Sequence, residues 1–181
     1  MKIVREMRNR RNRGFSLIEL LIVVAIILII AGIAIPSLNR AKMSANETSA
    51  IYSLKAVVEA AVQYNSTYGN GYPPSLGSLG GANGAPTATC DGALLIDSVL
   101  SNNGIGNTSL KAGYTITYVP GIAVTNPPAG CTNPGVNSYT LYAVPAQIGS
   151  TGQRGFFTDP SGVIRFSTDG TVPTTTSPAL Q

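Results

Sequence analysis

The chain has 181 residues, 44% hydrophobic and 11% charged, with 12 Lys/Arg, 8 Asp/Glu and no histidine. Its net charge of +4 would suit a nucleic-acid or anionic-lipid binder, but six Lys/Arg and one Glu lie within residues 1–14, a balance of +5, which leaves six against seven, or −1, for the rest. A basic nucleic-acid-binding face on the bulk of the chain is thus not indicated, and without histidine any enzyme would lack the commonest general base.

Residues 1–14 carry Lys2, Arg5, Arg8, Arg10, Arg11 and Arg13, followed by an apolar run from Phe15 to Ile35. Ser16 and Glu19 are the only strongly polar members of those 21 residues. As a helix the run reaches roughly 30 Å, the thickness of a bilayer's hydrocarbon core. Gly32-Ile33-Ala34 offers a small-x-small pattern of the kind signal peptidase cuts. The run exceeds the 7–15 residues of a secretory h-region, so a membrane helix is the expectation. The flanking cations would hold the N-terminus in the cytoplasm. A carboxylate inside such a span is costly, which makes Glu19 a functional candidate. The plainer reading has Glu19 snorkelling to the membrane surface from its shallow depth.

Arg13-Gly14-Phe15-Ser16-Leu17-Ile18-Glu19 and the apolar helix after it resemble the class III leader junction of type IV pilins and pseudopilins. The resemblance is strong over roughly the first 65 residues and a matter of layout beyond them. It implies a basic leader (1–14) removed by cleavage between Gly14 and Phe15, N-methylation of Phe15, and a role for Glu19 in assembly. Glycine before the cut would let a protease approach the backbone with no Cβ in the way. Cleavage would free an α-amine on Phe15, positively charged near neutral pH. That amine on one subunit could pair with Glu19 of a neighbour and set axial register between apolar helices. The implied partners are identical subunits in a homopolymer, a prepilin peptidase/methyltransferase, inner-membrane pilus assembly machinery, and the lipid bilayer before assembly.

Beyond the span (15–35), Leu38, Ala41, Ala45, Thr48, Ile51, Leu54, Val58 and Ala61 recur every three or four residues, which predicts an amphipathic second half of the same helix over 36–68. Arg40, Lys42, Glu47, Lys55 and Glu59 fall mainly on other faces. Gly69-Asn70-Gly71 should end the helix near Tyr64 or Tyr68, giving about 50 residues, or roughly 75–80 Å. Pro36 removes an N–H and clashes with the carbonyl of Gly32, so Gly32–Pro36 is the expected weak turn. It is either a simple kink or a turn that loosens when the helix leaves lipid for a filament.

Residues 69–112 read as a variable loop region, with a short helical patch at 93–100. Tyr114–Val119 and Tyr139–Val144 alternate as strands. Phe156–Thr158 and Val163–Phe166 flank Asp159-Pro160-Ser161-Gly162, a type I turn signature, and so predict a hairpin. An antiparallel sheet is therefore expected within 113–170, and the Thr/Pro-rich tail, 171–181, is expected to be disordered or loosely packed. Cys90 and Cys131 lie beyond the membrane, where an even pair usually forms a disulfide. Two free thiols are the alternative, and two cysteines without histidine do not make a zinc set.

The fold class predicted is α+β, one long N-terminal helix packed on about four antiparallel strands, which is also what the pilin resemblance implies. No catalytic set, metal site or cofactor is expected. There is no Gly-x-Ser-x-Gly elbow and no phosphate-cradling loop, and Asp159, Ser161 and Asp169 fit no calcium-loop spacing. The leading expectation is a type IV pilus subunit, inserted in the inner membrane as a precursor and extracellular once polymerised. A pseudopilin of a type II secretion filament in the periplasm is the alternative. A single-pass anchored periplasmic binding domain would require the Gly14–Phe15–Glu19 spacing to be accidental.

Overall fold

The computed structural model describes residues 14–81 and 86–180; the leader's six cations therefore lie outside the described residues. The chain divides into two units, Met1–Leu38 and Asn39–Gln181. Helix α1, Leu17–Tyr68, contributes its beginning to the first and the rest to the second. Gly69 ends it at a positive φ of 63°, its N–H reaching back to Asn65 O at 3.0 Å. This is a terminus glycine adopts without a Cβ penalty.

In the second unit, α1 buries Glu47, Ala50, Ser53, Leu54, Val57, Ala60, Ala61 and Tyr64. Only Leu54 and Ala61 of the predicted stripe are fully buried. Ala41, Ala45 and Thr48 are exposed and Val58 is half-buried. Small residues such as Ala and Thr report a face weakly. The stripe that wins runs through Glu47, Leu54 and Tyr64, and its first member is a carboxylate supplied with partners.

The sheet is a five-stranded antiparallel meander, β1 (Thr108–Lys111), β2 (Tyr114–Pro120), β3 (Tyr139–Pro145), β4 (Gly155–Thr158) and β5 (Arg165–Ser167), in sequence order across the sheet. Tyr114, Ile116 and Tyr118 of β2, with Tyr139, Leu141 and Ala143 of β3, face the core. They join Ala50, Leu54, Val57, Ala61 and Tyr64 of α1 in one apolar cluster. The α+β, type IV pilin-like arrangement predicted from sequence is present, with five strands rather than about four.

The extra strand, β1, lies at the end of the stretch read as loop. Its Thr-Ser-Leu-Lys sequence is short and pairs only through the neighbouring β2. That stretch also holds the short helix α2, Leu76–Gly80, opened by a Ser75–Ser78 capping box. The helical patch expected at 93–100 is not a helix. Leu94 has φ 55°, and turns lead into a 3-10 turn at Asn102–Gly104. Asp97 there accepts the N–H groups of Val99 and Leu100, the side-chain competition with backbone bonding that favours turns over helix.

The turn at 159–162 forms, with Gly162 N–H on Asp159 O at 2.9 Å, but β5 begins two residues later than predicted. Ile164 directs its carbonyl to Leu180 instead. The tail is thus not loose: Leu180 packs on the core cluster, and Ala179 bridges Arg165.

Candidate functional site

The junction occupies the first described residues. Gly14 is exposed, and a Cβ built on it would meet nothing within 4 Å. Phe15 is 75% exposed. Ser16 precedes the first helical residue, and its N–H donates to Glu19 Oε2 at 3.0 Å. The Ser-x-x-Glu spacing therefore forms the return half of a capping box, satisfying one of the amides a helix start leaves unpaired. The negative charge also sits at the positive end of the helix macrodipole.

Downstream of Glu19, the side chains are apolar and open. None of the 18-residue apolar window in α1 is buried within the chain, and Leu20, Ile27, Ile29 and Ile33 are each more than half exposed. The helical assignment runs unbroken through Gly32 and Pro36, and nothing lies within 4 Å of a Cβ placed on Gly32.

The other residues singled out from sequence lie in the second unit. Cys90 and Cys131 are joined by a disulfide. Beside it, Asp91 accepts the N–H groups of Thr132 and Asn133 at 3.1 and 3.2 Å, so the two loops are clamped twice. Burial opposes ionisation of Asp91, but these donors outweigh it and hold its carboxyl below the usual aspartate range. Asp159 and Asp169 each cap their own turn, accepting from Ser161 and Thr171 respectively. Among the described residues no three His, Cys, Asp or Glu side chains converge on a metal-sized site.

Sequence reasoning missed two arrangements. Buried Asn70 donates to Asn133 O and to Tyr64 Oη, and accepts Gly135 N–H, tying the end of α1 to the disulfide loop. Gly135 is needed there, because a Cβ would fall 1.7 Å from Asn70 O. Glu47, only 8% exposed, takes Arg154 through Nε and Nη2, both at 2.8 Å. It also accepts the Gln153 and Arg154 backbone N–H groups at 2.9 and 3.1 Å. Desolvation pushes the Glu47 carboxyl up, yet these donors together bring it below the ordinary glutamate range. The Arg154 guanidinium lies 5.6 and 5.8 Å from the ring centres of Phe156 and Phe166, within cation–π range. The partners are 107 residues apart, and no local pattern links them. The Ser16–Glu19 cap was not read from sequence either, although its Ser-x-x-Glu spacing is a local signal that could have shown it.

Residues 9–35 match the family profile described as the prokaryotic N-terminal methylation motif. The chain carries that motif on a type IV pilin-like fold. Two curated relatives match part of the chain. The type IV major pilin protein PilA of Myxococcus xanthus is 52% identical over 52 residues, 29% of this chain and 24% of the relative. The type IV wide pilus major component PilA4 of Thermus thermophilus is 44% identical over 59 residues, 33% of this chain and 42% of the relative. The chain therefore matches less than half the length of each. The likeness to these pilins is carried by a segment about as long as the motif and α1 together.

Proposed function

We propose that this chain is a structural subunit of a type IV pilus, cut after Gly14, N-methylated on Phe15 and polymerised through α1 into a surface filament. The observation that carries the reading is the uncovered apolar half of α1 directly behind the methylation motif. Apolar surface left in water costs about 25 cal/mol per Å², so this helix needs a covering that its own fold does not supply. Lipid covers it in the inner-membrane precursor, and helices of neighbouring copies cover it in the filament. The two relatives, a type IV major pilin and a wide pilus major component, support the same reading.

In this scheme a prepilin peptidase/methyltransferase processes the junction, and inner-membrane machinery extracts the subunit. Glu19 exchanges its own Ser16 amide for the α-amine of an adjoining subunit. The turn from Gly32 to Pro36, short of one hydrogen bond, loosens as neighbouring helices replace lipid. The subunit's work is mechanical, with no catalytic step. Electron microscopy of sheared cell-surface filaments with N-terminal sequencing tests the scheme. Long filaments beginning at methylated Phe15 are expected. Processed subunits confined to the periplasm would favour a secretion pseudopilus, and an uncut N-terminus an anchored domain.

A further inference from the structure

We propose that the Cys90–Cys131 disulfide is a thiol-exchange site of fixed polarity, at which an external thiolate attacks Cys131 Sγ and Cys90 leaves as a buried thiolate. The two sulfurs differ in access. Cys90 is 3% exposed and belongs to the apolar cluster, whereas Cys131 is half-buried at its margin. The bond forms part of the wall of an open groove of about 350 Å³, whose other lining residues are Thr67 and Tyr68 at the end of α1, Thr89, Ala129 and Gly130. No charged side chain is among them, so an anionic nucleophile meets no carboxylate in the groove itself. Which sulfur is attacked, and how readily the other leaves, set the course of thiol–disulfide exchange. Access directs the attack to Cys131.

The fold also prepares a place for the sulfur that leaves. Burial alone would penalise a thiolate at Cys90, but two donors stand beside it. The Tyr64 hydroxyl lies 3.1 Å from Cys90 Sγ and Asn70 Nδ2 lies 3.4 Å from it. A disulfide sulfur carries no hydrogen, so both contacts run from donor to sulfur. The hydroxyl is also 3.0 Å from Cys90 O. Its proton can turn from that carbonyl to a thiolate, where the charge-assisted bond is the stronger one. Asp91 alongside disfavours a second anion, but its oxygens already hold three N–H groups of Thr132 and Asn133. Those contacts, with the bonds from Asn70 to Asn133 and Gly135, keep the two loops together once the sulfurs part. In the step itself a bond forms between the external sulfur and Cys131 Sγ, the Cys90–Cys131 bond breaks, and its electron pair stays on Cys90. The thiol is the only co-reactant. In reverse, the Cys90 thiolate attacks Cys131 Sγ of the mixed disulfide and expels the external thiolate, closing the bond through the same geometry.

The test exposes the full chain in detergent micelles briefly to excess reduced glutathione, quenches in acid, then denatures the protein and caps its free thiols with N-ethylmaleimide. Peptide mass spectrometry reads which cysteine carries which group. The trapped mixed disulfide should hold glutathione on Cys131 and maleimide on Cys90, at least tenfold over the reverse arrangement. In denaturing urea, where the groove and both donors are lost, the preference should shrink to within threefold. Adducts divided evenly or favouring Cys90 in the folded chain would overturn the proposal. A Cys131 preference that persists in urea would overturn it too, because it would belong to the local sequence and not to the fold. Single-thiol variants check the return path. Cys90→Ser, with Cys131 free, should react with oxidised glutathione at least tenfold faster than Cys131→Ser, and equal rates for the two folded variants would count against the assignment.

Discussion

Ser16 N–H and Glu19 Oε2 lie 3.0 Å apart, so the one carboxylate of the apolar half of α1 is already engaged before any neighbour arrives. The bond gives Glu19 two separable properties, a hydrogen-bond acceptor for its own helix start and a negative charge available to an adjoining α-amine. Glu19→Ala removes both, and Glu19→Gln keeps an acceptor while losing the charge. Both variants should be membrane-inserted and leader-processed, and both should be missing from sheared filaments on immunoblot. Filaments from the Gln variant at normal yield would mean that the cap alone is what assembly needs.

Gly14 stands exposed immediately before Phe15. Gly14→Val places a branched side chain where the processing reading requires close backbone approach. The full-length form should accumulate in membranes, running above the processed subunit on a gel by the mass of the 14-residue leader. Normal processing would remove Gly14 from the cleavage site.

Glu47 and Arg154 form a charged contact with a buried carboxylate, and removing one partner strands the other. Glu47→Ala should cost about 3 kcal/mol, lowering Tm by roughly 6–12 °C. Arg154→Met should cost less, because the guanidinium is partly in solvent and methionine keeps contact with Phe156 and Phe166. Thermal unfolding by circular dichroism measures both. The pH dependence has a definite sign. Because the folded carboxyl titrates below its ordinary value of about 4.3, the contribution is complete above that pH and is lost as pH falls through the lower folded value. Asp91 behaves in the same way. Acid unfolding of Glu47→Ala should therefore be shallower than that of the parent below about pH 4.

The Cys90–Cys131 bond spans 41 residues. In the chain-entropy treatment a loop of that size is worth about 4 kcal/mol. Reduction, or replacement of both cysteines by serine, should lower Tm by roughly 8–16 °C. Asp91 and Asn70 should keep the 90s and 130s loops associated in the native state below that transition. Hydrogen exchange of the Gly135 amide, bonded to Asn70 Oδ1, reads this directly and should stay slow after reduction.

Sequence alone determined the parts whose physics is local or compositional. The charge split at Gly14, the apolar length of Phe15–Ile35, the Gly69 helix stop and the alternation of Tyr114, Ile116 and Tyr118 each express a rule acting over a few residues. The pairing of Cys90 with Cys131 was also within reach, because there were only two cysteines to join. Tertiary structure alone decided which way the weakly patterned residues face. Glu47 turns inward because Arg154 and two amides from a distant loop receive it, and α1 rotates its buried stripe accordingly. β1 becomes a strand because β2 offers it an edge. Ser177–Leu180, short and proline-bearing, becomes ordered because β5 has a donor and an acceptor to satisfy and Leu180 packs on the core. Glu47 and Arg154 lie 107 residues apart, so no local window holds both, whereas β1 and the C-terminal segment sit near their partners but carry too weak a pattern to be read without the edge they pair with.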